Sequence, residues 1–411
     1  RPTSAGEPRR IYLDNAATSF PKPAAVHEAM YRYATEVGAS PGRGSYAESL
    51  EGARLIEQCR SRIARLLGAP SDRHVVFSLN TSDALNIAIR GVVANRRREH
   101  PGRPIHVVTT SMDHNSVLRP LNALQADGLS PGVTWTCVDV DSTTGIADPA
   151  AIASAITRDT VLVAVVHASN VTGTLQPIER IARVTGTAGV PLLVDAAQTA
   201  GRVPIDMAGS GIDLLAFPGH KAMLGPLGTG CLVMAPGLED RIDTIREGGT
   251  GTVSELDVMP AAMPDKYEPG SHNTPGIVGL SAGVQHLLDL GVDVIWREEQ
   301  RHIKRICDAM ADTDRFPGLR LLGPKTSEHR VGVFTFVHDA IDPQELAAVL
   351  EGSFGLLTRA GIHCAPRAHG TFGTRDAGGG LRASLGPFVS GADVDLLLNA
   401  LAEVSVSLQR V

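Results

Sequence analysis

Three short stretches of this chain are apolar almost without a break: Val161–His167 reads VLVAVVH, Pro191–Asp195 reads PLLVD and His74–Leu79 reads HVVFSL. A strand with one face in water alternates apolar and polar residues, so runs like these belong to strands covered on both faces. Ile105–Thr110, Val133–Val138, Leu214–Phe217 and Gly230–Met234 extend the series. Helix-like stretches separate several of them: Ser82–Ala94, His114–Ala126, Pro149–Ile156 and Ile178–Thr187. Such alternation predicts a mostly parallel sheet with helices on both faces, and residues 13–260 are read as one large α/β domain.

After Gly276 the texture changes. Two long helical patterns, Ile277–Leu290 and Val294–Ala311, precede a strand at Arg330–Val337, a helix at Pro343–Glu351 and a strand at Leu381–Leu385. The last stretch, Ala392–Leu408, places Val394, Leu397, Leu398, Leu401, Val404 and Leu408 on one helix face. Residues 277–411 are read as a smaller α+β domain, with residues 1–12 packing on it.

Composition excludes several function classes. With 411 residues, 43% of them hydrophobic and 20% charged, the chain has the balance of a globular protein and enough length for a large core. A net charge of −6 argues against nucleic acid as a partner. No apolar run approaches the roughly 18 residues of a membrane span. Five widely spaced cysteines without a CxxC pair make neither a disulfide framework nor a thiolate zinc site, and no metal is expected. The polar start lacks a secretion signal pattern, so a cytoplasmic protein is expected. Only five of the 38 basic residues are lysine, which makes each lysine conspicuous.

Lys221 follows an apolar strand in Phe217-Pro-Gly-His-Lys221 and precedes Gly225-Pro-Leu-Gly-Thr-Gly230. A partly desolvated lysine there has a lowered pKa and can form a Schiff base; a surface lysine in a turn is the plainer alternative. Asp195 ends an apolar strand, where α/β folds bind ligands, and a carboxylate there can keep a pyridine nitrogen protonated. It could equally cap the next helix. Thr81 and Ser82 open a helix after a strand, which suits an anion or an ordinary cap. His114 and Asn170 also follow strands; an imidazole can stack on a flat ring or relay a proton, and an amide can bind a phenolic oxygen. Cys364 lies on a loop between Gly361 and Pro366, where a thiolate could attack sulfur. The other cysteines, Cys59, Cys137, Cys231 and Cys307, fall on helical patterns or strands and read as packing residues.

Leu13-Asp-Asn-Ala-Ala-Thr18, Asp113-His114-Asn, Ser169-Asn170-Val-Thr-Gly173, Val194-Asp195-Ala-Ala-Gln198, Gly219-His220-Lys221 and Arg359-Ala-Gly-Ile-His-Cys364-Ala-Pro366 occur in this order. Together they resemble the class V, fold-type I pyridoxal-phosphate enzymes, closest to the SufS-type cysteine desulfurases and selenocysteine lyases. The resemblance runs from about residue 11 to the C-terminus. It implies a large domain with a mostly parallel seven-stranded sheet and a small α+β C-terminal domain. It implies pyridoxal 5'-phosphate as cofactor, with Lys221 as the Schiff-base lysine, Asp195 at the pyridine nitrogen and His114 stacked on the ring. Asn170 and Gln198 fall near the ring oxygen, with Thr81, Ser82 and His220 at the phosphate. Arg382, with Arg359 and Asn170, is implied to bind the substrate carboxylate. A homodimer is also implied, with Thr250 or Ser271 reaching the partner's phosphate. Three positions depart from the family pattern: Pro218 replaces a hydroxyl residue, Asp113 a glutamate, and Gly270-Ser271-His272 a Gly-Thr-Pro loop.

The expected activity is conversion of L-cysteine to L-alanine, with sulfur held as a persulfide on Cys364 and passed to an acceptor, which the resemblance implies is a protein; selenocysteine is the alternative substrate that the resemblance implies. C–S lyases, epimerases and transaminases share the scaffold and remain alternatives. A silent scaffold would have no need of Lys221, Asp195 and His114 together. A P-loop is excluded, because no Gly-Lys-Ser/Thr follows the glycines.

Overall fold

The structure, a computed structural model, describes residues 10–409. The continuous apolar runs form a seven-stranded sheet in the order Val75–Ser78, Gly230–Met234, Leu214–Pro218, Leu192–Asp195, Thr160–Val166, Ile105–Thr110, Val133–Val138. Gly230–Met234 runs against both neighbours, and the strands from Leu214–Pro218 to Val133–Val138 are parallel. Every residue of Leu192–Asp195 and Leu214–Pro218 is buried. The edge strand Val133–Val138 alternates instead, with Thr134 and Thr136 in solvent.

Ala47–Leu67, Pro149–Ala155, Ile178–Ala188 and Thr274–Leu290 close one face of the sheet. Thr81–Glu99 and Asn115–Gln125 close the other. Thr274–Leu290 therefore shares its core with the large sheet, although its sequence falls in the stretch grouped with the C-terminal residues. Ala24–Arg32 was not expected from the sequence, and the 21-residue helix Ala47–Leu67 was expected only as the helical pattern around Cys59. In the second, Gly52, Ile56, Cys59, Ile63 and Leu67 recur on one buried face, with Glu48, Arg54, Glu57 and Arg65 in solvent on the other.

The C-terminal residues build an antiparallel sheet in the order Arg359–Gly361, Gly380–Ser384, Val333–His338, Leu319–Leu321. Its core includes Ile11 and Leu13, because Ile11–Tyr12 pairs in parallel with Leu356–Leu357. Residues 1–9 of the segment expected to pack there lie outside the described residues. The strand read at Arg330 begins at Val333 instead. The backbone around Arg330 pairs with Thr174 in an isolated antiparallel bridge, and the buried Arg330 side chain donates to the carbonyls of Pro324 and Leu322. No single described helix is long and apolar enough to cross a membrane.

A buried ion pair fastens the loop before Thr274 to the sheet edge. Arg60 donates to Glu268 through Nη1 and Nη2 at 2.8 and 2.6 Å, and Phe77 N–H donates to Glu268 Oε1 at 2.6 Å. Burial alone would raise the Glu268 carboxyl, but Arg60 and His272 bring it below the usual glutamate range. Removing one partner of such a pair leaves an uncompensated buried charge, at a cost of about 3–5 kcal/mol. Glu268→Ala is expected to lower the unfolding free energy by this order, and Glu268→Gln, which keeps an acceptor for Phe77, by less. Because the folded pKa is depressed, the increment is present above the unfolded glutamate pKa and fades as pH falls through the folded value. Denaturant titrations at neutral and acidic pH measure both effects; a loss under 1 kcal/mol at neutral pH contradicts this account.

Candidate active site

Strands buried on both faces leave their polar chemistry to their ends, and in parallel strands those ends share one edge. The loops leaving this edge enclose a cavity of about 280 Å³. Lys221, Asp195, His114, Asn170, Gln198, His220, Thr81 and Ser82 all line it. These eight sequence-selected residues, scattered over 141 positions, are thus brought together.

Asp195 is 2% exposed, and its Oδ1 accepts the Ala197 N–H at 2.9 Å. Burial raises its pKa, against that hydrogen bond and the Lys221 charge. The Lys221 turn is closed by two backbone bonds, Gly219 N–H to Thr229 O at 2.8 Å and Gly225 N–H to Gly219 O at 2.7 Å. Burial lowers the Lys221 amine to about 8, although Asp195 pulls the other way. A buried amine of this kind is neutral in a useful fraction near neutral pH and is a nucleophile and a base in that form.

His114 caps the helix Asn115–Gln125, and its Nδ1 accepts the Ser116 N–H at 3.0 Å. That bond leaves the proton on Nε2. Burial, then the charge of Lys221, lowers the ring to about 4, so it is neutral at physiological pH. The preceding Asp113 is fully buried, with Oδ2 accepting from Thr109 Oγ1, Thr110 N–H and Thr110 Oγ1 at 2.8, 2.8 and 2.7 Å. These bonds fix the turn that presents His114. Ser116 Oγ lies 2.9 Å from His114 Nδ1 and 2.6 Å from Ser82 Oγ, which joins the imidazole to the helix N-terminus at Thr81. Asn80 caps that helix by accepting the Asp83 N–H at 3.0 Å. Gly230 lets Asn80 close in, because a Cβ there would lie 2.7 Å from its Cα.

Cys364, Arg382 and Arg359 do not line the cavity but border it. Of the five cysteines Cys364 is the exposed one; Cys59, Cys231 and Cys307 are buried and Cys137 half-buried. Its carbonyl accepts the Asn115 N–H at 2.9 Å, one residue from His114. Arg382 is 1% exposed. Its Nη2 donates to Asp14 at 2.6 Å and its Nη1 to the Asn170 carbonyl at 3.1 Å. The guanidinium implied to take the substrate carboxylate is therefore partly occupied within the chain. Arg359 stands opposite Arg382 in the ladder and is exposed. Thr250 and Ser271 are not brought to Lys221. They line a separate cavity of about 390 Å³ with Arg43 and Arg60.

The sequence reading missed Ser116 and the work of the segment after Leu13. Thr18 Oγ1 and Lys22 Nζ donate to the His220 carbonyl at 3.0 and 2.6 Å, and Ser19 Oγ donates to the Lys221 carbonyl at 2.8 Å. The hydroxyls and the lysine of this segment were visible, but nothing local pairs them with residues 200 positions away.

The aminotransferase class-V family profile matches residues 11–397. The chain belongs to this family. Among its relatives, a probable cysteine desulfurase of Methanothermobacter thermautotrophicus is 33% identical over 399 residues, spanning 96% of this chain and 94% of that protein. A cysteine desulfurase of Yersinia pestis is 30% identical over 400 residues, 96% of this chain and 93% of that one. An apo cysteine desulfurase structure from Thermococcus onnurineus matches with a TM-score of 0.86 at 29% identity, covering 97% of this chain and 95% of that chain. The cysteine desulfurase CsdA of Escherichia coli matches with 0.82 at 27%, covering 97% and 94%. The class-V fold thus spans nearly the whole chain.

The amine of Lys221 gives this class-V site a measurable pH signature. In protein freed of small molecules, reductive methylation of Lys221 is expected to rise with pH about a midpoint near 8. Asp195→Asn removes the charge that raises the amine's pKa, so the midpoint moves lower. Peptide mass spectrometry reads both; a midpoint at the ordinary lysine value contradicts the burial argument.

Proposed function

We infer that this class-V protein is a pyridoxal-phosphate-dependent cysteine desulfurase, converting L-cysteine to L-alanine and carrying the sulfur on Cys364. The observation that carries the reading is an exposed cysteine on a turn docked against the wall of the Lys221–Asp195–His114 cavity. The desulfurases among the relatives support it.

The cavity residues fit the cofactor. Asn170 Oδ1 and His220 Nδ1 are buried without a partner, as polar atoms awaiting one. Asp195 is a buried carboxylate that a protonated ring nitrogen would satisfy. Thr81 and Ser82 at a helix N-terminus, with His220, would hold the phosphate, and Lys221 would hold the aldehyde carbon. When bound, pyridoxal phosphate supplies a ring that delocalises charge from the substrate's Cα.

The chain's own residues do the rest. Lys221, neutral in part, moves the proton at the substrate's Cα. His114, a neutral imidazole, would stack on the ring. Arg382 and the exposed Arg359 draw in the substrate carboxylate, with Asn170 beside them. Cys364 Sγ, as thiolate, attacks the substrate sulfur. The Sγ–S bond forms and the substrate's Cβ–S bond breaks, leaving its electron pair on carbon. Cβ takes up a proton, alanine leaves, and the persulfide passes to an acceptor, which we take to be a thiol-bearing protein. Selenocysteine is a second substrate of the same chemistry. We further propose a homodimer in which Thr250 or Ser271 completes the phosphate site of the partner.

Cys364→Ser is expected to bind cofactor and substrate yet release no sulfur from L-cysteine, since a hydroxyl cannot carry a persulfide. In the unaltered protein, mass spectrometry should find one added sulfur on the Cys364 peptide and alanine as product. Pyruvate and ammonia with an unmodified Cys364 would replace this reading by a C–S lyase. Asp195→Asn is expected to keep cofactor and lose roughly 10²–10³ in turnover, the range for a preorganised charged group. Near-normal turnover would reduce Asp195 to a structural carboxylate.

A further inference from the structure

Two consecutive residues of the Cys364 turn occupy the left-handed backbone region, His363 at φ 53° and Cys364 at φ 57°. Neither is glycine, so the surroundings must impose this conformation. Asn170 Nδ2 donates to the His363 carbonyl at 2.6 Å, and Asn115 N–H donates to the Cys364 carbonyl at 2.9 Å. Both donors come from the edge of the large sheet, and Asn170 itself lines the Lys221 cavity. The His363 ring is buried against His369, with ring centroids 5.5 Å apart, which backs the turn from the other side. The second amide atom of Asn170, Oδ1, is buried and unpaired in a residue only 8% exposed.

We propose that Asn170 is a positioning residue that ties the Cys364 turn to the cavity wall and makes the freedom of the thiol depend on what fills the cavity. Its carboxamide is planar, so a partner taken by Oδ1 fixes the direction in which Nδ2 donates. An empty cavity leaves that orientation held from one end; an occupied one holds it from both. The role of Cys364 as sulfur carrier rests on the proposed function, whereas the clamp itself rests on the two hydrogen bonds.

The rate of Cys364 alkylation by iodoacetamide, read by peptide mass spectrometry, tests the clamp. Half-buried Cys137 in the same sample is the control. Asn170→Asp keeps the side-chain shape but removes the donor. Asn115→Pro removes the second donor: Asn115 is the first residue of its helix, where proline is favoured. His114, at φ −71° and ψ 156°, already has the backbone that precedes proline. In cofactor-free protein each variant is expected to raise Cys364 alkylation roughly fivefold, the factor one ordinary hydrogen bond implies. Saturating pyridoxal phosphate, followed by visible absorbance, should slow alkylation in the unaltered protein but not in Asn170→Asp. Unchanged rates in both variants, or an equal acceleration at Cys137, overturn the clamp. Equal slowing by cofactor in both proteins overturns the coupling. Faster alkylation in the variants of a protein that never develops absorbance supports the clamp and overturns the cofactor reading instead.

Discussion

A strand buried on both faces keeps a polar group in its middle only where a neighbour satisfies it, as Thr160 and Thr136 satisfy His106, so most of the polar chemistry of the large sheet gathers at its strand ends, and this restriction organises the site. Asp195 is the last residue of its strand, and His114, Asn170, Ser82 and Lys221 follow theirs within a few positions. Because five neighbouring strands run the same way, their loops converge at one edge. Gly230–Met234, running oppositely, presents its start there, and Gly230 admits the backbone of Asn80. The cavity is thus a consequence of strand direction before any residue in it is chosen.

Burial then decides the protonation of what the loops carry. Desolvation is the largest influence on Lys221, His114, His220 and Asp195 alike. It disfavours charge on all four, and so leaves a partly neutral amine, two neutral imidazoles and a carboxylate in want of a cation. The same groups in water would be a charged lysine and partly protonated histidines. Lys221 and Asp195 each work against the other's desolvation, and at Asp195 the Ala197 N–H does so as well. A ligand bringing a positive nitrogen and a negative group would complement this arrangement.

Much of the fold was legible because it obeys two periods. Mostly apolar runs, alternating in Val133–Val138, located all seven strands of the large sheet, within about a residue of their observed ends. The helix Ala47–Leu67 carried an equally plain pattern in Ile56, Cys59, Ile63 and Leu67, legible as a helical stretch at Cys59, but its many charged residues masked its length. Residues at strand ends were legible as candidates because strand ends are visible in sequence. Ser116 was not, since its place between His114 and Ser82 depends on how two loops approach each other. The pairing of Arg382 with Asp14 joins positions 368 apart and leaves no local trace.

That distant pairing shows how the two sheets are kept in register. The segment from Asp14 to Lys22 holds the C-terminal sheet with one set of atoms and the Lys221 turn with another. Asp14 takes Arg382, and the Ala16 N–H donates to Ser384 Oγ at 2.9 Å. The Ala16 carbonyl accepts from Gln198 Nε2 at 3.0 Å, and Thr18, Ser19 and Lys22 hold the carbonyls of His220 and Lys221. Cys364 belongs to the C-terminal residues and Lys221 to the large sheet, so their relative placement depends on such a strap. Asn170 and Asn115 make the same junction from the opposite side of the cavity. A reaction that needs an amine and a thiol at one substrate requires this junction to be firm, and further bonds across it, from Thr335 Oγ1 to the Val171 carbonyl and from Arg202 Nη2 to the Leu385 carbonyl, add to the two connections.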